Sequence, residues 1–213
     1  MLMPPPDQAI IAKRAAIAAA LKRIIAAPDG VVVPEEERRV YETDALTAYR
    51  QLPLLVVLPS TTTEVSAVLR YCEAEGVKVV PRGAGTSLSG GALPLADGII
   101  LGMGKFNRVL EIDYANRCAV VQPGVTNLGI TDAVQGAGFY YAPDPSSQIA
   151  CTIGGNVAEN SGGVHCLKYG LTVHNVVGVR GFTAEAPPSP WAPPRSTGQA
   201  TICSRSRSAR KAC

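Results

Sequence analysis

The chain is poor in aromatic residues and histidine, and it contains no long hydrophobic run. Aromatic residues make up 5% of its 213 residues and apolar residues 46%, a balance that suits a globular protein with many tight turns. No stretch approaches the roughly 18 uncharged apolar residues that a membrane helix needs, so no transmembrane segment is predicted. The opening Met-Leu-Met-Pro-Pro-Pro-Asp lacks the basic start and apolar core of a secretory signal. We therefore expect a cytoplasmic protein.

The cysteines show no metal-binding spacing. None of the six belongs to a Cys-x-x-Cys pair, so the sequence indicates neither a zinc site nor an iron–sulfur cluster, and we expect no bound metal. Scattered thiols without a secretory signal are typical of reduced cysteines in a cytosolic protein. The cysteines are Cys72, Cys118, Cys151, Cys166, Cys203 and Cys213.

The net charge of +3 comes from one end of the chain. Residues 186–213 hold five basic residues and no acidic one, which leaves 15 basic against 17 acidic residues in residues 1–185. A nearly neutral domain gives no reason to expect nucleic-acid binding. The end segment is rich in Pro, Ser and Arg and has no apolar period, so it is predicted to be disordered. We interpret it as a frameshifted or truncated reading frame, with a genuine linker as the alternative.

Residues 77–91 form the stretch on which the functional interpretation depends. The β-branched run Val77–Val80 predicts a buried strand that Pro81 ends. The next ten residues, Arg-Gly-Ala-Gly-Thr-Ser-Leu-Ser-Gly-Gly, have no apolar period and predict a loop. Its glycines (Gly83, Gly85, Gly90 and Gly91) permit positive φ and a close approach of the backbone to a ligand. Consecutive N–H groups beside hydroxyls, with Arg82 at the entrance, suit a pyrophosphate.

The loop also has less specific interpretations. Most clusters of glycine and serine are solvent-exposed turns. The sequence does not match a Rossmann dinucleotide fingerprint. That fingerprint needs a third glycine where this sequence has Leu88, a helix leaving the loop and an acidic residue about 20 positions on. The Walker A pattern is absent. With His165 and His174 interpreted as structural and no paired carboxylates, we expect any chemistry to come from a bound cofactor.

The first half of the chain predicts alternating helices and strands. A helix is expected over residues 8–27. Residues 54–58 predict a strand, which is followed by a capping box of Thr61 and Glu64 and a helix that ends at Gly76. With the strand that precedes the glycine loop, these elements predict a β–α–β unit.

The second half predicts a hairpin and another glycine-rich stretch. Strands are expected at residues 99–102, 109–113 and 118–122, and a helix over 126–135. Residues 142–163 contain a Pro-Asp-Pro-Ser-Ser turn and two Gly/Asn-rich segments, which we interpret as a second loop region that follows a strand. The two glycine-rich stretches are expected to face each other across one extended ligand.

Four segments together resemble a known flavoprotein family. They are Tyr41-Glu-Thr-Asp44-Ala-Leu-Thr-Ala-Tyr-Arg50, the Leu-Pro-Leu-Leu-Val-Val-Leu-Pro strand, Pro81–Gly91 and Thr152-Ile-Gly-Gly-Asn156. Their content and order resemble the FAD-binding half of the vanillyl-alcohol oxidase / p-cresol methylhydroxylase superfamily. The match is strongest to the flavoprotein subunit of glycolate oxidase and to D-lactate and other D-2-hydroxy-acid dehydrogenases. It covers about residues 35–185.

The resemblance implies a two-part α+β FAD-binding domain of the p-cresol methylhydroxylase type, with the cofactor between its subdomains and a cap domain missing. On this basis we divide the chain into a helical lead-in (residues 1–34), the FAD-binding domain, incomplete at its C-terminus (residues 35–185), and the basic tail (residues 186–213). Relatives with covalent flavin often carry histidine where this sequence has Thr86. The resemblance therefore implies non-covalent FAD.

The resemblance also implies which residues bind the cofactor. The loop 81–89 would bind the FAD pyrophosphate, residues 143–147 and 151–156 would line the adenine, ribose and flavin side, and residues 161–164 would complete the site. The residues are Pro81, Arg82, Gly83, Ala84, Gly85, Thr86, Ser87, Leu88, Ser89, Pro143, Asp144, Pro145, Ser146, Cys151, Thr152, Gly154, Gly155, Asn156, Ser161, Gly162, Gly163 and Val164.

Members of this family oxidise a 2-hydroxy acid such as glycolate or D-lactate by moving hydride to the flavin while a base takes the hydroxyl proton. The base and the substrate arginines come largely from the cap domain, so no catalytic residue is assigned here. The resemblance implies iron–sulfur and second flavoprotein subunits as partners, with peripheral attachment to the inner membrane through them. The alternatives are a non-catalytic FAD-binding fragment or inactive gene product, and a nicotinamide-dependent flavin reductase, against which Tyr41–Arg50 argues.

Overall fold

A computed structural model describes residues 5–182 and the backbone of residues 189–190. The chain divides into two compact units, residues 5–105 and residues 106–182 with 189–190, and each has its own sheet. The mixed α and β content confirms the predicted fold class. Apart from residues 189–190, the predicted tail lies outside the described residues, and so does the frameshift interpretation. In the described ranges, no helix is both long enough and apolar enough to cross a bilayer.

The first unit is built on a four-stranded sheet. Its helices are α1 (Gln8–Ala12), α2 (Arg14–Ile24), α3 (Glu35–Arg38) and α4 (Thr62–Glu75), with a 3-10 turn at Arg39–Tyr41. Its strands are β1 (Val31–Val32), β2 (Leu55–Val57), β3 (Lys78–Arg82) and β4 (Gly98–Gly102). They are ordered β1-β2-β4-β3, with β2, β4 and β3 parallel and β1 antiparallel to β2. The predicted β–α–β unit is confirmed, with β4 inserted between its two strands.

Helix α4 begins and ends as its sequence predicts. The Thr61 hydroxyl accepts from the Glu64 N–H at 3.2 Å, and the Glu64 carboxylate accepts from the Thr61 N–H at 3.0 Å. Gly76 ends the helix with φ +68°, a conformation in which glycine carries no Cβ penalty. The apolar stripe packs on the sheet through its buried members, Val65, Val68 and Cys72.

Two predictions for this unit need correction. The single helix over residues 8–27 is two helices, interrupted at Lys13 and ending at Ile24, because Ile25 turns to an extended conformation. The turn places Ile25 in the core, 1% exposed, against Gly30. Pro81 does not end its strand, since β3 continues to Arg82. The proline is tolerated because, within the described residues, β3 is an edge strand that pairs only with β4.

The second unit combines a hairpin with short helices. The hairpin strands are β5 (Val109–Asp113) and β6 (Cys118–Val121), as predicted, and Arg117 in their turn has φ +57°. The remaining elements are α5 (Asn127–Val134), a 3-10 turn (Gln135–Ala137), α6 (Ile153–Glu159), α7 (Cys166–Tyr169), α8 (Thr172–Asn175) and the short antiparallel pair β7 (Arg180–Gly181) and β8 (Ser189–Pro190). A buried cluster packs β6, α5 and α6 together: Ala119, Val121, Val125, Ile130, Tyr141 and Ile153.

The second glycine-rich stretch is not the loop that its composition predicts. Residues 153–159 form helix α6, although the helix begins Ile-Gly-Gly. Glycine suits this position because a Cβ on Gly154 would lie 2.8 Å from the Cβ of Pro123. The stretch also does not follow a strand, since α5 and a 3-10 turn precede it. Close helix packing, and not loop flexibility, explains these glycines.

Candidate functional site

The glycine loop (residues 83–91) leaves the carboxyl end of β3 in the first unit. Gly85 and Gly90 have φ +73° and +75°, which glycine adopts without a steric penalty. Gly83 and Gly91 do not have positive φ, so only two of the four glycines meet the predicted backbone requirement. As predicted, the segment is irregular and forms no helix.

Backbone hydrogen bonds fix the shape of the glycine loop. The Ala45 N–H donates to the Gly85 carbonyl at 3.0 Å, which joins the loop to the segment that follows Tyr41. At the far end, the Leu93 N–H donates to the Gly90 carbonyl at 3.1 Å. These bonds use the loop's carbonyl groups and leave most of its N–H groups uncommitted.

The middle of the loop presents backbone donors without protein acceptors. Among the described residues, the N–H groups of Ala84, Gly85, Thr86 and Leu88 donate no hydrogen bond. All four residues are exposed or half-buried. Neighbouring unpaired N–H groups of this kind form an anion-binding concavity, because each carries a partial positive charge that water or an anion must satisfy. The geometry of the loop therefore fits a diphosphate group.

Arg82 lies beneath the loop and not at its entrance, which corrects the prediction for its position. It is 8% exposed, and its Nη1 donates to the carbonyls of Tyr41 at 3.4 Å and Ala92 at 3.3 Å. Its guanidinium carbon lies 5.7 Å from the centre of the Tyr41 ring, within cation–π range. A Cβ on Gly85 would come within 2.3 Å of Arg82 Nη2, so the loop backbone rests directly on the guanidinium.

A buried carboxylate accompanies this arginine. Asp44 is 4% exposed, and its Oδ1 accepts from the Leu46 N–H at 2.9 Å. Its Oδ2 is buried and has no hydrogen-bond partner in the described part of the chain. Burial lowers the pKa of Arg82, and the negative charge of Asp44 opposes that effect. The two buried groups therefore interact through their charges beneath the glycine loop.

In the second unit, a pair of buried asparagines holds the Pro-Asp-Pro turn. The Asn127 side chain, 0% exposed, donates from Nδ2 to the Pro143 carbonyl at 2.9 Å. The Asn156 Nδ2 in turn donates to Asn127 Oδ1 at 2.9 Å. This network connects the start of α5, the turn and α6. Asn156, predicted to contact the cofactor, is 2% exposed and has a structural contact of its own.

Asp144 makes the other contacts of the Pro-Asp-Pro turn. Its Oδ2 lies 2.5 Å from His165 Nδ1. Gly163 packs so closely on it that a Cβ there would lie 2.2 Å from Asp144 Oδ1. The turn and the segment 161–165 are thus brought together. This contact agrees with the structural interpretation of His165, and no local signal in the sequence connects two residues 21 positions apart.

An open cleft of about 440 Å³ lies beside this contact. Burial and a hydrogen bond with Tyr169 raise the pKa of Tyr140 to about 12, while the Tyr140 contact and Lys168 lower the pKa of Tyr169. Three phenol rings, an imidazole and a carboxylate therefore border one cleft within the second unit. Its lining residues are Leu128, Thr131, Tyr140, Tyr141, Ala142, Asp144, Gln148, His165 and Tyr169.

The remaining residues assigned to the second unit differ in exposure. Cys151 and Thr152 are buried, and the Thr152 hydroxyl has no hydrogen-bond partner among the described residues. Gly154 and Gly155 lie in the first turn of α6, and both are half-buried. Ser146 and Val164 are exposed. These differences separate residues that are open to a ligand from residues that support the turn.

Comparison with known proteins agrees with this geometry. Residues 53–186 match the model of a family described as the FAD binding domain. The chain belongs to this FAD-binding domain family. The match includes the glycine loop and the Pro-Asp-Pro turn, and Tyr41–Arg50 lies outside it. The predicted family resemblance is confirmed.

Curated relatives of this FAD-binding domain are longer proteins. It is 63% identical over 137 residues to the glycolate oxidase subunit GlcD of Escherichia coli, covering 64% of this chain and 28% of that protein. It is 46% identical over 142 residues to GlcD of Bacillus subtilis, covering 67% and 30%. It is 40% identical over 148 residues to a D-lactate dehydrogenase of Archaeoglobus fulgidus, covering 69% and 33%. The chain thus spans about a third or less of the relatives it matches.

Solved structures share the fold at low sequence identity. An alkyldihydroxyacetonephosphate synthase aligns with a TM-score of 0.81 at 20% identity, covering 100% of this chain and 43% of that one. A BBE-like protein of Physcomitrella patens aligns with a TM-score of 0.70 at 22% identity, covering 87% and 44%. The fold of the FAD-binding domain is therefore shared with proteins of very different sequence.

Proposed function

We propose that this chain binds FAD non-covalently and forms the FAD-binding part of an oxidoreductase that oxidises a 2-hydroxy acid, glycolate or D-lactate, to the 2-oxo acid. The observation that carries the cofactor proposal is the group of four loop N–H groups, at Ala84, Gly85, Thr86 and Leu88, that have no partner among the described residues. Four donors on one loop suit the oxygens of a diphosphate, the central group of FAD. The substrate class rests on similarity to GlcD and D-lactate dehydrogenase.

The proposed cofactor contacts fall in both units. In the first, the loop 81–89 binds the diphosphate through its N–H groups and the Thr86 and Ser87 hydroxyls. In the second, residues 143–147, 151–156 and 161–164 contact the remaining parts of FAD. When bound, FAD supplies the hydride acceptor for the oxidation. The residues of this chain bind and orient the cofactor, and we assign no catalytic base among them.

The side chain at position 86 supports the proposal of non-covalent attachment. Thr86 has no ring nitrogen that could bond to the flavin. Denaturation should therefore release the flavin intact. We further propose that this chain works together with partner subunits, because its GlcD relatives are named as subunits of glycolate oxidase.

The loop assignment is tested by comparing FAD with flavins that lack the diphosphate. Binding is measured from the quenching of flavin fluorescence as the purified chain is titrated with FAD, FMN and riboflavin. We expect FAD to bind at least tenfold more tightly than riboflavin, and ADP to compete with it, because the loop contacts the diphosphate. Equal affinity for FAD and riboflavin, or failure of ADP to compete, would contradict the assignment.

A second candidate is an FAD-binding chain without turnover. The chain spans 28% of the Escherichia coli relative, which favours this candidate for the isolated protein. Stopped-flow reduction assays distinguish these two candidates. The FAD-loaded protein is mixed anaerobically with glycolate or D-lactate, and bleaching of the flavin absorbance band is followed. Bleaching by either substrate supports the oxidoreductase in this chain, whereas an unchanged band with FAD bound supports the non-catalytic chain.

A further inference from the structure

The two buried charged residues beneath the glycine loop, Arg82 and Asp44, differ in how completely they are hydrogen-bonded. Arg82 is buried, but it donates to two carbonyls and packs on the Tyr41 ring. Asp44 is buried more deeply, and one of its two carboxylate oxygens has no partner among the described residues. A buried carboxylate oxygen without a hydrogen bond is costly, so its presence in the fold calls for an explanation.

The position of this pair gives it an effect on the loop. The guanidinium touches the underside of Gly85, whose own N–H has no partner among the described residues. A positive charge directly behind these donors attracts an anion bound on them, and salt partly screens this attraction because the anion would lie on the exposed side of the loop. The negative charge of Asp44 acts on the same guanidinium and reduces that attraction. The loop and the pair are connected by the Ala45 N–H, next to Asp44 in sequence, which donates to Gly85.

We propose that Asp44 and Arg82 together set the anion affinity of the glycine loop, with Arg82 strengthening diphosphate binding and Asp44 weakening it. This inference rests on the proposed function of the loop. Asp44 is a positioning residue in this account, because it acts on the ligand through Arg82 and does not contact the ligand. In this proposal, Asp44 is kept as a negative charge beside Arg82 even though its Oδ2 has no hydrogen-bond partner among the described residues.

The test is Asp44→Asn, which keeps an oxygen for the Leu46 N–H and removes the charge. Dissociation constants for FAD and for inorganic pyrophosphate are measured by calorimetry at low salt and at high salt. At low salt we expect both ligands to bind roughly three- to tenfold more tightly than to the wild type, because a negative charge near the anion has been removed. We expect this gain to shrink at high salt, which a change of packing alone would not produce.

A matched control is Asp97→Asn. Asp97 is also a buried aspartate of the first unit, 2% exposed, and it pairs with Lys78 at the other end of β3. Its removal should leave both dissociation constants unchanged. Should Asp44→Asn fail to fold, Asp44→Ser offers a smaller neutral acceptor for the same N–H and is expected to show the same gain.

The outcomes separate this inference from the function on which it rests. A wild-type chain that binds FAD, with a folded neutral variant at position 44 that binds it equally or more weakly, overturns the inference alone. A wild-type chain that binds neither FAD nor pyrophosphate overturns both. Tighter binding by the neutral variant, with the Asp97→Asn control unchanged, supports the inference.

Discussion

Gly85→Ala tests how the glycine loop packs on Arg82. The added Cβ would lie 2.3 Å from Arg82 Nη2 and 2.6 Å from its Cζ, and the residue would keep φ +73°. The left-handed backbone costs a residue with a Cβ about 1–2 kcal/mol. The guanidinium would also have to move, and its hydrogen bonds to two carbonyls would be lost or lengthened, at about 1.5 kcal/mol or more for a charged donor. The expected total is about 3–4 kcal/mol.

Gly76→Ala is the matched control for this experiment. Gly76 has nearly the same φ, +68°, but a Cβ there meets no atom within 4 Å. It should cost only the backbone strain of about 1–2 kcal/mol and leave FAD affinity unchanged. Thermal unfolding followed by circular dichroism measures the stability of each variant, and flavin fluorescence measures FAD binding. Equal losses of stability in the two variants would refute the packing of Gly85 on Arg82, and so would unchanged FAD affinity in Gly85→Ala.

Three further predictions test the structure elsewhere. Asn127→Ala removes a fully buried amide and leaves its two partners unpaired, so the free energy of unfolding should fall by about 2–4 kcal/mol in denaturant titrations; a loss below 1 kcal/mol would contradict the network. Burial raises the pKa of Asp97, but hydrogen bonds, first that from Lys78, outweigh it, so the net pKa is lowered. The stabilisation from this carboxylate is therefore present above its usual pKa and lost as the pH falls. Asp97→Asn should flatten the dependence of stability on pH in acid, and an unchanged slope below about pH 4 would contradict this. Burial raises the pKa of Cys72 to about 12, so iodoacetamide at pH 8 should alkylate it only after denaturation, as mass spectrometry of tryptic peptides would show.

The features that the sequence predicts correctly are those with a local physical signal. The capping box of Thr61 and Glu64 and the stop at Gly76 depend on residues within one helix and its ends, and both are present. The strand before the glycine loop and the hairpin after residue 105 follow from short β-branched runs bounded by turns. Each of these signals is contained within about 15 residues.

The features that the sequence does not predict depend on tertiary contacts. Pro81 is predicted to end its strand, but β3 continues through it because no strand of the described part of the chain pairs on its other side. The glycines of α6 predict a loop, but in the structure they allow the helix to pack on Pro123. Arg82 is predicted at the entrance of the glycine loop, and only its contacts with Tyr41 and Ala92 place it under the loop.

The candidate site shows the same division. The loop itself is identified by composition, and two of its glycines have the positive φ that composition predicts. Its supporting residues come from distant parts of the chain, as Asp44 and Arg82 do in the first unit. In the second unit, Asn127 and Asp144 hold the turn and the segment that follows α6 through contacts of the same kind. Such pairs carry no spacing rule, so only the folded structure identifies them.

The most direct test of non-covalent FAD binding is the absorbance spectrum of the purified chain before and after heat denaturation and filtration. We expect flavin bands in the native sample that pass completely into the filtrate once the protein is denatured. Bands that stay with the denatured protein would contradict non-covalent attachment. A folded, cooperatively unfolding chain that shows no flavin bands, and gains none when FAD is added, would contradict FAD binding itself.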